Sequence, residues 1–186
     1  MVSCGLQGIF IHKKEATMRF PPTTVQTCLQ TRLGPVHLAA GPLGLVGLWF
    51  AGQRHLPAQL AGPSAWPVDE QHPLLQATAH QLQQYLAGQR QRFALPLDLS
   101  GGTPFQQTVW QALLALAPGA STSYGALARQ LDKPQAMRAV GAAVGRNPIS
   151  IIVPCHRVLG SGGALTGYAG GLQRKVALLQ LEGLPA

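Results

Sequence analysis

The sequence predicts an α+β protein in which a small N-terminal antiparallel sheet with one helix precedes a mostly helical, winged-helix-like half with a helix-turn-helix. Three observations support this class. Short apolar runs alternate with glycine-proline turns in the first half, and helix start and stop signals recur after Thr103. Hydrophobic residues make up 46% of the 186 residues, and charged residues only 11%. This composition supports a packed core and argues against disorder.

The first half is divided into an extension and a structural domain. Residues 1–22 show no periodic pattern and remain unassigned, with Met18 as an alternative start, and residues 23–98 form the N-terminal α/β domain. A helix is predicted over 73–87, because its leucines have helical spacing and Gly88 follows its end. Strands are predicted over 25–32, 36–40, 45–50 and 92–97, and glycine-proline turns join the first three. We identify no chemistry-bearing cluster in this half.

Residues 99–186 are predicted to form a second, mostly helical domain. Thr103 suits an N-cap, Pro104 the first helical position and Gln106 a capping box, so a helix begins here and ends before 118–119. Trp110 lies on this helix and is expected in the core. Helices over 124–131 and 135–146, separated by a tight turn, predict a helix-turn-helix. A last helix covers 172–182, with its apolar face formed by Leu172, Val176 and Leu179.

The charge distribution favours a polyanionic partner. The formal net charge is +8, and after residue 100 only Asp132 and Glu182 are acidic. Nucleic acid is the first candidate for such a basic half. No apolar run is long enough to cross a bilayer, and no signal peptide is evident. We therefore expect a soluble cytoplasmic protein without a membrane partner.

The cysteines predict neither a disulfide framework nor a metal site. Cys4, Cys28 and Cys155 are odd in number and widely spaced, which suits a reducing compartment. A zinc site built from Cys4 and Cys28 with a nearby histidine lacks the paired ligand spacing that zinc sites show. We expect no metal and no organic cofactor.

Cys155 is the candidate nucleophile. A lone cysteine more often packs in a core, but this one stands between Pro154 and His156-Arg157, which offer a stiff backbone, a base and positive charge. Glu182 is predicted at a helix C-terminus, where the helix dipole disfavours an anion, and a histidine partner would explain it. Cys155, His156 and Glu182 are thus a candidate relay. On an extended chain Cys155 and His156 would point to opposite faces, so a bridging water is expected.

The second helix of the helix-turn-helix has mostly small side chains. For Val140 the helix–helix packing interpretation is preferred, whereas Ala139 and Gly141 suit packing and close approach to DNA equally well. Arg138 is long enough to enter a base stack or pair with phosphates. Asn147 precedes a proline and is expected to join this helix to the cysteine segment. Tyr168 lies in a glycine-rich stretch, 160–171, that suits a loop closing on a flat ligand.

These motifs, taken in order, resemble the O6-alkylguanine-DNA alkyltransferase family, also called methylated-DNA–protein-cysteine methyltransferases. The resemblance covers 103–183 strongly and the first half weakly. The motifs that carry it are Phe105-Gln106, Val109-Trp110, Tyr124-Gly125, Arg138-Ala139-Val140-Gly141, Asn147-Pro148, the segment 154–158, the loop 167–171 and Glu182-Gly183. It implies irreversible, single-turnover transfer of an alkyl group from O6-alkylguanine in DNA to Cys155, with O4-alkylthymine as a further candidate substrate.

The resemblance also implies a role for each site residue. The helix-turn-helix would bind the minor groove of double-stranded DNA through Met137, Ala139 and Gly141, and Arg138 would fill the gap left by the flipped base. Tyr124 would assist flipping and protonate the leaving guanine. Val158 and Ala169 would bind guanine through backbone groups, as would the Cys155 carbonyl, and Tyr168 would wall the pocket. Asn147 would hold the turn, and His156 with Glu182 would activate the thiol through water, in a protein that acts as a monomer without cofactor.

Two other classes remain open at this point. One is a non-enzymatic winged-helix DNA-binding protein in which Cys155 is structural. The other is a cysteine hydrolase, which is disfavoured because no histidine follows His156 in the chain.

Overall fold

The first half forms a three-stranded antiparallel sheet covered by one helix. The computed structural model describes residues 18–185. Strands β1 (Val25–Leu29), β2 (Val36–Gly41) and β3 (Gly44–Phe50) lie in the order β1-β2-β3, and α1 (Pro73–Leu86) packs against all three. In β3, the Trp49 ring lies across Gly47, where a Cβ would come within 1.7 Å of a ring carbon. The three strands and the helix agree with the sequence prediction apart from their ends.

The strand predicted over 92–97 is wrong. Only Leu97 forms an isolated bridge, parallel to Leu45. The Leu45 N–H donates to the Pro96 carbonyl at 2.9 Å, and the Asp98 N–H donates to the Leu45 carbonyl at 2.8 Å. Proline has no N–H to add to a ladder, so Pro96 limits this segment to a short contact at the sheet edge.

The second half begins with α2 (Pro104–Leu114), whose start carries the predicted capping box. The Thr103 hydroxyl accepts from the Gln106 N–H, and the Gln106 side chain accepts from the Thr103 N–H. Trp110 is fully buried, and its Nε1 donates to the Ala143 carbonyl at 2.9 Å. The predicted core role of Trp110 is confirmed, although the helix ends earlier than expected.

The predicted helix-turn-helix is present as α3 (Tyr124–Gln130) and α4 (Met137–Gly145). A 3-10 turn, Pro134–Ala136, separates the helices, and Asp132 before it is left-handed with φ 54°. The inner face of α4 is formed by Val140, Ala143 and Val144. The predicted packing role of Val140 is therefore confirmed, and the outer face of α4 remains exposed.

The last helix, α5 (Leu172–Leu181), is rotated relative to the prediction. Its buried residues are Lys175, Leu178 and Leu179, whereas Leu172 is 47% exposed. Of the predicted apolar face, Leu179 is buried and Val176 is half-buried, but the assignment of Leu172 to it is wrong because this residue lies at the exposed start of the helix. Spacing of 175, 178, 179 and 182 places Glu182 on the same inner face.

The two halves share one hydrophobic core, and backbone hydrogen bonds from β3 join the first half to the segment that precedes the cysteine. Buried residues of the sheet, α1, α2, α4 and α5 belong to one cluster. The β3 residue Leu48 exchanges hydrogen bonds of 2.9 Å with Pro148 and Ser150. A short parallel pair, β4 (Thr122–Ser123) and β5 (Val158–Leu159), brings α3 beside the cysteine segment. The α+β class is confirmed, and the domain boundary at 98–99 stays a prediction.

Among residues 18–185, no helix combines the length and the apolar character that crossing a bilayer requires.

Candidate active site and nucleic-acid interface

Cys155 stands at the start of a 3-10 turn that follows two γ-turns. The Ile152 N–H donates to the Ser150 carbonyl at 2.9 Å around Ile151, whose φ is 72°. The Cys155 N–H donates to the Val153 carbonyl at 2.8 Å around Pro154, with φ −81° and ψ 61°. A left-handed β-branched residue is strained, and such strain often lies beside functional groups.

The expectation of an extended backbone at the cysteine is thus wrong. Cys155–Arg157 form one 3-10 turn, so the argument from opposite strand faces does not apply to Cys155 and His156. The cause is local, because the two γ-turns reverse the chain before a strand can form. Strand β5 begins only at Val158.

Asn147 ties this turn to the sulfur. Its Nδ2 donates to the Cys155 Sγ at 3.0 Å and to the Val153 carbonyl at 2.8 Å, and its Oδ1 accepts from the Ile149 N–H at 3.0 Å. The side chain is 4% exposed. Asn147 therefore fixes the backbone before the cysteine and also supplies the sulfur with a hydrogen-bond donor, which favours a thiolate.

The electrostatic surroundings of the thiol differ from the prediction. Cys155 is 4% exposed, and burial raises the pKa of its thiol, which the Asn147 amide and the Lys175 ammonium lower. The cation whose charge favours the thiolate is therefore Lys175. The expectation that Arg157 supplies this charge is wrong because its guanidinium is bound to Glu182. Lys175 is fully buried, and its Nζ donates to the carbonyls of Val158 and Thr166 at 2.6 and 2.7 Å.

The predicted contact between His156 and Glu182 is present. The His156 Nε2 lies 3.0 Å from Glu182 Oε1, and the imidazole is fully buried. Because an ionised carboxylate only accepts, Nε2 carries the proton and Nδ1 has the free lone pair of a base. Within residues 18–185, no hydrogen-bonding group contacts Nδ1. Burial lowers the pKa of His156, which the Glu182 carboxylate raises, so the neutral base is favoured.

Glu182 is held as a carboxylate by several donors. Arg157 binds it in a fork, with Nε 2.7 Å from Oε2 and Nη2 2.8 Å from Oε1. Burial alone would raise the pKa of Glu182, but the bonds from His156 and Arg157 hold it well below its ordinary value. A bidentate, charge-assisted contact of this kind fixes the orientation of the carboxylate.

An open groove of about 650 Å³ lies on the outer face of the helix-turn-helix. It is lined by Tyr124, Met137, Arg138 and Gly141 together with Ser161. Ala139 is exposed on the same helix but does not line the groove. A Cβ on Gly141 would lie 3.7 Å from the Tyr124 ring, which shows how closely α4 approaches α3 there.

Of the residues predicted to surround the base, Val158 directly follows the cysteine turn, and Tyr168 and Ala169 lie in the glycine-rich loop. Val158 is buried, and its carbonyl already accepts from Lys175; the Cys155 carbonyl accepts from the Val158 N–H. Each carbonyl keeps a second lone pair. Tyr168 is 6% exposed. The Ala169 carbonyl accepts from the Arg54 N–H of the first half at 3.1 Å. The Tyr124 Oη donates to the Gly167 carbonyl at 3.3 Å and so links α3 to this loop.

Three residues at the site were missed by sequence reasoning. Arg157 and Lys175 were counted only as charges, and Tyr85 lies in the half where no chemistry was expected. The Tyr85 Oη donates to Glu182 Oε1 at 2.6 Å across 97 positions. The spacing of 175, 178, 179 and 182 could have indicated Lys175, but no local signal connects Tyr85 to Glu182.

A metal centre is not suggested by the part of the chain that the structure describes. Within residues 18–185, no group of three or more histidine, cysteine, aspartate or glutamate side chains could hold a metal ion.

The fold and the site together define a class of protein, a helix-turn-helix protein with a buried cysteine beside a histidine–glutamate pair. The family models described as "6-O-methylguanine DNA methyltransferase, ribonuclease-like domain" and "DNA binding domain" match residues 24–99 and 104–184. The methylated-DNA–protein-cysteine methyltransferase of Mycobacterium leprae is 46% identical over 154 residues, which are 83% of this chain and 89% of that protein. The chain belongs to the 6-O-methylguanine DNA methyltransferase family.

Solved structures show the same likeness. The crystal structure of Mycobacterium tuberculosis OGT in complex with DNA has 43% identity and a TM-score of 0.76, covering 87% of this chain and 96% of that one. The O6-methylguanine-DNA methyltransferase of Pyrococcus kodakaraensis has 26% identity and a TM-score of 0.61, covering 87% and 99%. The family expectation formed from the sequence motifs is therefore confirmed.

Proposed function

We propose that the chain repairs DNA by transferring an alkyl group from the O6 atom of guanine to the Cys155 Sγ. A bond forms between Sγ and the alkyl carbon, and the bond between that carbon and O6 breaks. The thioether is stable, so each molecule reacts once. The observation that carries the proposal is the hydrogen bond between His156 and Glu182, because it leaves Nδ1 basic on the residue next to the cysteine.

The proton balance of the step assigns roles to the surrounding groups. The thiol proton passes through a bridging water to His156 Nδ1, and Glu182 stabilises the imidazolium that forms. Asn147 and Lys175 stabilise the negative charge on sulfur, which favours attack although burial raises the pKa of the thiol. Guanine leaves as an anion and takes a proton from Tyr124, which lines the groove and regains a proton from solvent.

The groove is the proposed DNA-binding surface. Arg138 and Met137 are exposed at its edge, and Ala139 and Gly141 allow α4 to approach the minor groove closely. A base inside a duplex must be extruded at a cost of a few kcal/mol before it can reach a buried thiol. Arg138 fills the gap that the extruded base leaves and so offsets part of this cost.

The extruded base binds between the cysteine turn and the glycine-rich loop. The carbonyls of Cys155 and Val158 accept from the guanine amino group, and the Ala169 N–H donates to the oxygen side. Tyr168 forms the wall of the pocket. Because Cys155 is 4% exposed, the base can enter only after a rearrangement, and we expect the 3.3 Å bond between Tyr124 and the loop to be the contact that opens.

A second candidate, a protein that binds DNA without reacting, is favoured by that same low exposure of the cysteine. One experiment separates the two. The protein is incubated with a duplex carrying O6-methylguanine with a radiolabelled methyl group, and the label is followed by peptide mapping. We expect one label per molecule on the peptide containing Cys155, none in Cys155→Ala and full transfer in the matched control Cys28→Ala, since Cys28 is exposed on β1. Binding of the duplex without transfer would support the second candidate.

The proposal includes a cytoplasmic location and a monomeric state. A reactive free thiol persists in a reducing compartment, and one molecule contains all the groups to which a role is assigned above.

A further inference from the structure

Tyr85 connects the first half of the chain to the histidine–glutamate pair. It lies on α1, is 2% exposed and packs its ring against Phe93 at 5.2 Å between centroids. Its hydroxyl donates to Glu182 Oε1 at 2.6 Å, the shortest hydrogen bond to that carboxylate from residues 18–185. Burial and the bond to Glu182 raise the pKa of Tyr85 far above its ordinary value, so the phenol stays a donor.

The acceptor atom is shared among three donors. Glu182 Oε1 accepts from Tyr85, from His156 Nε2 at 3.0 Å and from Arg157 Nη2 at 2.8 Å. Each donor withdraws electron density from the oxygen that the imidazole contacts. The bond from His156 is the longest of the three, as expected when other donors reduce the basicity of the shared oxygen.

We propose that Tyr85 is a positioning residue of the alkyl-transfer site, whose hydroxyl holds the Glu182 carboxylate toward His156 and limits how strongly it attracts a proton onto the imidazole. The inference rests on the proposed function. It gives the first half of the chain a part in the chemistry, because α1 supplies the only contact from that half to Glu182 among the hydrogen bonds found within residues 18–185.

The sign of the effect follows from the charges around His156. The Glu182 carboxylate raises the pKa of the imidazole, whereas burial and the cations Arg157 and Lys175 lower it. Removal of the Tyr85 hydroxyl leaves more negative charge on Oε1, and the pKa of His156 therefore rises. The reaction needs neutral His156, so the acid limb of the pH–rate profile moves to higher pH. The charged groups near Tyr85 itself are Glu182, Arg157 and Arg32.

The test compares pH–rate profiles of label transfer from the O6-methylguanine duplex for the full chain and Tyr85→Phe. Two other donors remain on Glu182 Oε1, so we expect less than the full effect of a lost hydrogen bond to a charged group: a rate roughly 2- to 12-fold lower on the acid side and a smaller loss at alkaline pH. The matched control is Thr78→Val, which removes another buried hydroxyl of α1, bonded to the Leu74 carbonyl at 2.7 Å. Its acid limb should coincide with that of the unmodified chain.

A second variant keeps the bond and the packing. Fluorotyrosine placed at position 85 is a stronger donor, and it should move the acid limb to lower pH, opposite to Tyr85→Phe. NMR titration of the His156 imidazole in the same proteins reports the shift without any repair reaction. Unchanged limbs and unchanged imidazole titration in both variants would overturn the role of Tyr85. Absence of label transfer in the unmodified chain would instead overturn the proposed function, while the imidazole titration still decides on Tyr85.

Discussion

Asn147→Ala is predicted to damage both the reaction and the fold, for separable reasons. In the reaction, the sulfur loses the Nδ2 donor at 3.0 Å. A hydrogen bond to a charged group contributes about 1.5–3 kcal/mol, so transfer to Cys155 should slow by roughly 10- to 160-fold. In the fold, the buried Ile149 N–H loses its acceptor, which costs about 1–3 kcal/mol of unfolding free energy.

The assay is single-turnover transfer from the O6-methylguanine duplex, with thermal or urea unfolding measured in parallel. The matched control is Gln26→Ala, because Gln26 is also buried and donates to a backbone carbonyl, that of Trp66 at 2.9 Å, but lies on β1. We expect the control to lose stability and to keep its rate per folded molecule. If Asn147→Ala reacted within about threefold of the unmodified chain after correction for folded fraction, the donor to sulfur would contribute less than about 0.7 kcal/mol and the reasoning would be refuted.

Three further predictions concern duplex binding, access and acid stability. Arg138→Ala should slow repair in duplex much more than reaction with a free O6-alkylguanine base, since only the duplex needs a group in the gap; equal losses would remove that role. Tyr124→Phe should speed maleimide labelling of Cys155, measured against exposed Cys28, and yet slow repair; slower labelling would contradict the closing contact. Glu182→Gln should destabilise by roughly 3–5 kcal/mol at neutral pH because a buried guanidinium loses its partner. Because the pKa of Glu182 is depressed in the folded protein, its carboxylate stabilises the fold above the ordinary value of 4.5, and this stabilisation is lost as pH falls through the folded pKa. The difference in unfolding free energy between the unmodified chain and Glu182→Gln, measured by chemical denaturation, should therefore narrow in acid.

Local chemistry made most of the fold predictable. The capping box at Thr103 and Gln106 acts between residues three apart, so the sequence shows it directly. The glycine-proline turns likewise separate β1, β2 and β3. The prediction failed at two places, and at each a single residue overrode the pattern. Pro96 cannot extend the strand predicted over 92–97. On α5, Lys175 is buried because two carbonyls bind it.

The candidate site was predictable only in part. The helix dipole made an acid at Glu182 unfavourable and so pointed to His156, a contact that the structure contains. The same argument gave no reason to expect Tyr85 as a donor to Glu182. It also gave no reason to expect that Arg157 binds Glu182 and does not supply charge to the thiol. These contacts depend on how α1, α5 and the cysteine turn pack together, and sequence spacing carries no information about such packing.

The structure also changes what the positive charge of the second half can do. Seven lysine and arginine residues follow residue 100. Three are engaged inside the protein: Arg157 on Glu182, Lys175 on two carbonyls, and Arg174 on the carbonyls of Leu33 and Gly170. Arg146 is half-buried, and the three that are exposed lie on the helix-turn-helix and are Arg129, Lys133 and Arg138. The surface available to phosphates is therefore smaller than the sequence alone indicates.

This count sets the salt dependence of binding to undamaged duplex. Each phosphate neutralised contributes about −0.9 to the slope of log K against log salt concentration, so three contacts predict about −2.7, whereas all seven cations would give about −6.3. Arg129→Ala should make the slope shallower by about 0.9, while Arg92→Ala, an exposed arginine of the first half, should leave it unchanged. Fluorescence anisotropy across a salt series measures both. A flat response would exclude the helix-turn-helix as the phosphate-binding face. A slope near −6 would require the engaged cations to leave Glu182 and the backbone carbonyls when DNA binds. That change would dismantle the site that the bound DNA is meant to reach.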